Sequence, residues 1–229
     1  MTDHSDSNDQ PTNLSRRQFL GTTAGVGLVS AASAAGAGVL MSSQYTQAAS
    51  AASKGAASSH VPLGELDEYY GFWSGGHSGE VRVFGVPSMR EIMRIPVFNH
   101  CSATGWGMTN ESKRIMGDSH RFTNGDAHHP HVSYTDGSHD GRYLFINDKA
   151  NTRVARIRLD VFKTDKMVTV PNVQAIHGLR LQKAPKTGYV FANGEYMIPQ
   201  PNDGRGLNDT DNYRTMWNAI DAETMEVKW

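Results

Sequence analysis

Residues 141–147 read GRYLFIN, and 46 residues later positions 187–193 read TGYVFAN. An earlier relative stands at 70–74, YGFWS. Each of the three is followed by an excursion and then by another run that leads into a turn. Those runs are VRVFGVPS at 81–88, VARIRLDVFK at 154–163 and MWNAIDAET at 216–224. The last continues through Met225, Glu226 and Val227, which reads as a hairpin.

Around these copies the chain is a succession of short apolar runs, many of them alternating, broken by Gly, Asn, Asp and Pro. Such runs are strand signals. They predict strands over 71–73, 80–86, 91–97, 143–147, 152–159, 167–170, 177–182, 189–193 and 215–220. No window of about 12 residues sustains a helical period. The fold class is therefore all-β. Repeats of about 40–50 residues with several strands each fit the blades of a β-propeller, whereas a β-sandwich is the architecture with similarly spaced strands and no repeat. About three blades fit after Tyr70, fewer than the roughly four to eight that close a ring. The chain stops at EVKW (226–229), mid-strand by this reading. The expectation is an N-terminal portion of a larger propeller, incomplete in this chain.

Ahead of the strands lies a different composition. Ser15-Arg16-Arg17-Gln18-Phe19-Leu20 precedes a mild Ala/Gly-rich run at 21–41, and QAASAASKGAASS follows at 47–59. Twin arginines before a weakly apolar segment read as a twin-arginine export signal, and Ala49-Ser50-Ala51 fits an A-x-A cleavage site. The run is long enough to span a bilayer, but its small residues and small-residue exit argue for export rather than a permanent span. This divides the chain into a signal and cleavage region at 1–51, a flexible linker at 52–65, and the partial propeller at 66–229. The mature protein has no membrane span and lies outside the cytoplasm.

Twenty-two basic and 23 acidic residues give a formal charge of −1. That balance supplies no electrostatic reason to bind nucleic acid. Cys101 is the single cysteine, so there is no intrachain disulfide or paired-cysteine metal knuckle. It reads as a small buried residue. No nucleophile-elbow, phosphate-loop or zinc-protease motif is present, and the Asp-rich stretch at 200–212 lacks the closing Glu of an EF-hand and reads as a polar insertion.

The histidines are more informative. Residues 126–131, DAHHPH, place three of the ten histidines within four positions. Neighbours on an ideal strand point to opposite faces, so His128 and His129 can share a metal only where the backbone is irregular. A blade-connecting loop or strand end supplies that, and Pro130 biases His129 towards extended backbone. Neutral imidazole suits copper, zinc, iron and nickel. Asp126 is placed to orient a ligand ring or to cap a turn. His177, in VQAIHGL (173–179), ends an apolar run and reads as a ligand, a core residue or a turn residue. His131 and His139 are loop candidates. His60, His77, His100 and His120 stand alone.

The stretches DEYYGFWSGGH (67–77), VPSMRE (86–91), NGDAHHPH (124–131), FINDKAN (145–151) and VQAIHGL (173–179) resemble the N-terminal region of nitrous-oxide reductase. The resemblance runs from about residue 66 to the end of the chain. It implies an exported periplasmic homodimer that reduces nitrous oxide to dinitrogen and water, the last step of denitrification, with electrons from a cytochrome c or small copper protein. Each subunit would carry a seven-bladed propeller with a four-copper sulfide centre, then a cupredoxin domain with a dinuclear copper centre. By motif match His128, His129 and His177 would be three of the seven histidine ligands of the first centre. Asp126 would stand beside that cluster and His131 would be a supporting residue. Ala127 stands where some relatives have a cysteine that is not a ligand. The four other ligands, the calcium site of the family and the cupredoxin domain would lie beyond Trp229, leaving this piece inactive by itself. Two other readings remain open on the residues: an exported propeller acting as a binding scaffold, and a mononuclear copper or zinc site built from His128, His129 and His177.

Overall fold

The computed structural model describes residues 58–121 and 125–229. The expected signal region at 1–51 and the first part of the expected linker lie outside the described residues. No helix among the described residues is long and apolar enough to cross a membrane.

Three antiparallel sheets follow one another along the chain. The first contains β1 (Tyr69–Ser74), β2 (Glu80–Val86) and β3 (Glu91–Pro96), in that order. The second contains β4 (Ala127–Thr135), β5 (Ser138–Asp148), β6 (Arg153–Arg158) and β7 (Lys163–Thr169), again in order. The third starts with β8 (Ile176–Leu181) and β9 (Tyr189–Gly194). A small ribbon of β10 (Ile198–Pro199) and β11 (Tyr213–Arg214) then frames the exposed polar insertion, before β12 (Trp217–Asp221) pairs with β9. The chain returns antiparallel to β12 through a bridge from Ile220 to Val227. The Asp221 carboxylate closes that turn by accepting from the Glu223 and Thr224 amides at 2.9 and 2.8 Å.

The two best copies in the sequence thus occupy the same place: GRYLFIN lies in β5 and TGYVFAN in β9, each the second strand of its sheet. The runs that follow them, β6 and β12, are both third strands. Burial explains why the β5 copy is apolar at its centre. Leu144 and Ile146 face a core shared with Val81, Val83 and Ile95 of the first sheet, while Phe145 faces Ile176, Leu179 and Val190 of the third. Alternate residues of one strand thus serve opposite faces, and the middle sheet is covered on both sides. A sandwich has two sheets; this stack of three sequential sheets is the propeller arrangement.

Three features differ from the sequence reading. Helix α1 (Asn110–Met116) was not expected; at seven residues it is too short to show a period, and it is announced only by its cap, where the Thr109 hydroxyl accepts from the Ser112 amide at 3.2 Å. His131 and His139 lie in β4 and β5 rather than in loops. Pro130, which donates no ladder bond, sits at a register slip in β4 and so does not break the strand. Cys101 is half-buried rather than buried, because it lies in a tight loop where it pairs with Trp106.

The β5–β6 turn is built on a buried ion pair. Asp148 is fully buried and Arg153 is 1 % exposed. The Asp148 carboxylate accepts from Arg153 Nε at 2.6 Å and from its Nη2, and from the amides of Asp126 and Ala150 at 2.8 and 3.1 Å. The Arg153 guanidinium lies over the Phe98 ring, 4.9 Å from its centroid. Removing one partner of such a pair strands the other charge without water, a loss of about 3–5 kcal/mol. Asp148→Ala is therefore expected to lower unfolding free energy by about that amount, measured by urea titration against the wild type.

Candidate metal centre

His128 and His129 lie at the start of β4, and His177 at the start of β8. These are the first strands of neighbouring sheets. Their registers show that the placement repeats. His131 pairs with Phe145 and Arg180 pairs with Phe191, and these two phenylalanines are the matched positions of the sequence copies. Counting back three residues from each puts His128 and His177 at equivalent positions of consecutive sheets.

Both strands slip register at this point, β4 between His128 and His131 and β8 between Ile176 and Leu179. In β4 the slip has His129 at φ 49°, a left-handed backbone uncommon for a residue with a Cβ. That turn removes the alternation which would send adjacent side chains to opposite faces. In β8 the corresponding residue is Gly178. It has φ 154°, a backbone that residues with a Cβ rarely adopt, and a Cβ there would meet the Asn193 side-chain amide.

The three rings consequently meet. The His128 and His177 centroids are 5.0 Å apart, those of His129 and His177 4.7 Å, and those of His128 and His129 5.9 Å. One ring nitrogen from each can be chosen so that all three lie within 4.8 Å of one another. The rings are half-buried, and His129 Nε2 is buried with no hydrogen-bond partner. An unpaired buried nitrogen is costly unless something else bonds it, and a metal ion is a suitable occupant. The donor set therefore fits copper or zinc. A single ion bonded at about 2 Å would draw its ligand atoms within about 4 Å of one another, whereas a polynuclear centre does not require that closure.

Carboxylates flank the rings. Asp126 Oδ1 lies 2.9 Å from His128 Nε2 and 3.5 Å from His77 Nδ1. Glu195 Oε1 lies 3.6 Å from His177 Nδ1, and its other oxygen pairs with Lys149 Nζ at 2.6 Å. The Lys149 ammonium, the largest influence, holds the Glu195 carboxyl below the usual range. Sequence reading singled out Asp126 but neither Glu195 nor Lys149. Their only signal is that each follows a copied segment at the same distance, Lys149 after FIND and Glu195 after FANG.

Apart from His77, which shares the Asp126 carboxylate with His128, the other histidines lie outside the cluster. His131 is on β4 beyond the slip. His100 and His120 are held by backbone oxygens, the former by His120 O at 2.6 Å and the latter by Gly117 O at 2.7 Å. Among the described residues, the triad is the only grouping of three or more His, Cys, Asp or Glu able to hold a metal.

Burial, followed by the neighbouring His177 and His128 rings, holds the His129 pKa below its ordinary value. In the metal-free protein the unfolded chain then binds a proton at about pH 6.5 that the folded chain refuses. Stability attributable to His129 should be complete above that pH and should decline as pH falls through it. A two-dimensional NMR titration of the imidazoles should place the His129 midpoint below 6.5.

Comparison with known proteins gives a consistent kinship. The family model described as "Nitrous oxide reductase propeller repeat 2" matches residues 170–229, the span of the third sheet. The chain is 66 % identical over 216 residues to a nitrous-oxide reductase of Stutzerimonas stutzeri, covering 93 % of this chain and 33 % of that protein. Against the Pseudomonas fluorescens enzyme it is 66 % identical over 221 residues, covering 96 % and 34 %. Against that of Cupriavidus necator it is 46 % identical over 235 residues, covering 96 % and 36 %. The chain spans about a third of the length of the curated relatives it matches. The resemblance carried by the motifs is borne out: this chain is similar to nitrous-oxide reductases over nearly its whole length.

Proposed function

We propose, from this kinship, that the chain forms the opening blades of a propeller in an exported nitrous-oxide reductase. In this reading, residues 1–51 are a twin-arginine signal, 52–65 a linker, and 66–229 about three of seven blades. His128, His129 and His177 supply three of the ligands of a four-copper sulfide centre. The reaction is the two-electron reduction of nitrous oxide, which takes up two protons and releases dinitrogen and water. Copper at this site would supply both the bonding to the substrate and the redox chemistry.

The observation that carries the reading is the convergence of three imidazoles from two neighbouring inner strands, one with a buried unpaired nitrogen. The residues of this chain hold and orient. Asp126 faces one nitrogen of His128 and so leaves the other free to bind, the usual way a carboxylate fixes a ligand ring. The depressed basicity of His129 keeps it neutral, the form that ligates. The rest of the ligand set, a calcium site, the dinuclear copper centre and the homodimer partner that carries electrons to the cluster belong to the remainder of a full-length protein. A cytochrome c or small copper protein serves as donor in the periplasm. By this reading the 229-residue chain has no activity by itself.

Metal analysis of the full-length gene product tests the proposal. A four-copper cluster together with a dinuclear centre is expected. His177→Ala should lose cluster copper and reduce nitrous-oxide turnover by more than about 100-fold, while the dinuclear centre keeps its absorption. One metal ion per chain would point instead to a mononuclear site, and none would leave a binding scaffold.

A further inference from the structure

We propose that Asn147 is a positioning residue that sets the separation of His128 and His177, an inference that rests on the copper reading above. Asn147 is fully buried on β5, directly opposite His128 in the ladder. Its Nδ2 donates to the carbonyl of Ile176 at 2.6 Å. Ile176 is the residue before His177 and belongs to the next sheet. One short side chain therefore joins the ladder partner of the first histidine to the backbone that carries the other.

The strand pairing cannot supply this constraint. The β8–β9 ladder pairs Ile176 with Gly194 and resumes at Leu179 with Ala192, leaving His177 and Gly178 within the slip. Between the sheets the contacts around Ile176 and Leu179 are largely apolar, and such packing is non-directional. The amide hydrogen bond is directional, and it acts one residue from the ligand ring.

Nor does core stability explain an asparagine here. Its Oδ1 is buried with no hydrogen-bond partner. An orphaned buried acceptor is destabilising, and an apolar residue of similar volume would avoid that loss. The residue makes sense as a spacer for the histidines. The matched Asn193 of β9 makes no comparable cross-sheet bond among the described residues; its Nδ2 reaches Gly194 O at 3.5 Å.

The test uses the full-length protein with Asn147→Leu, and Asn218→Leu as comparison. Asn218 is also buried with an unpaired amide nitrogen, but it lies on β12, two strands out from β8. Copper affinity is measured by competition with a chelator, and ring spacing in crystals of the metal-free proteins. N147L is expected to weaken copper binding by about 10–100-fold, the usual effect of losing a residue that orients a ligand. It should also move the His128 and His177 centroids from 5.0 Å. N218L should leave both unchanged. Wild-type affinity and spacing in N147L would overturn the inference, as would an equal copper loss in N218L. Should N147L fail to fold, the isosteric Asn147→Asp removes the same donor and is read in the same way. If the wild type takes up no copper, the functional reading falls, and the spacing of the metal-free rings alone decides the role of Asn147.

Discussion

The carboxylate of Asp148 is the joint on which the site depends. It ends β5, closes the turn into β6 through Arg153, and reaches across to the amide of Asp126 at 2.8 Å. That last bond fixes where the histidine-bearing strand begins. The Asp126 carbonyl answers by accepting from the Lys149 amide at 2.9 Å, so the start of β4 and the end of β5 are tied on both sides of Asp148. A buried ion pair need not add net stability. Here its geometric consequence is plain, because the ion pair and the hydrogen bonds from Asp126, Ala150 and Asn151 converge at one corner where an apolar pair would leave the corner free to slide.

From that corner the arrangement of the imidazoles follows with little freedom. The register slip in β4 lets His128 and His129 share a side, and the equivalent slip in β8 brings His177 to meet them. Bulges of this kind re-aim side chains at the rims of β structures. One non-glycine residue in left-handed backbone, His129, is the local cost, and the strand pairs on either side of it absorb that strain. Slipping at the same place in consecutive sheets converts a repeated backbone device into a cluster.

How far this was legible in the sequence depended on the physical signal involved. The second strands β5 and β9 were readable for different reasons. β5 is buried on both faces at Leu144, Phe145 and Ile146, whereas β9 buries Val190 and Ala192 on one face and keeps the rings of Tyr189 and Phe191 on a more exposed one. The shared ring positions let the copies align. β4 was not, since Asp, two histidines and a proline in succession look like a turn, and only the tertiary pairing to β5 makes a strand of them. The adjacency of His128 and His129 did pose the correct geometric problem, irregular backbone. Of the two places offered, a loop or a strand end, the structure has the strand end, where a register slip supplies the irregularity. His177 was found by likeness to a known family, because one histidine at a strand end has no distinguishing local pattern. Asn147, Lys149 and Glu195 had no signal beyond their place at the end of, or just after, a copied segment. Their importance lies in which strand faces which, and that is a property of the stacked sheets.

The two sheets also show how one scaffold sets unlike environments around like ligands. Lys149 and Glu195 occupy matching positions after β5 and β9, and their amides donate to matching carbonyls, Asp126 and Ala175, each at 2.9 Å. The backbone frame is therefore the same around His128 and His177. The side chains are not. His128 has its carboxylate from Asp126, just ahead of its own strand, while the equivalent position 175 is alanine and the carboxylate near His177 comes instead from Glu195. Glu195 is drawn to Lys149 of the neighbouring sheet, 2.6 Å away, and the same ammonium also feels the charge of Asp126. Equivalent rings thus stand beside differently supplied carboxylates. Repetition fixed the positions, and substitution at the repeated positions set the electrostatics.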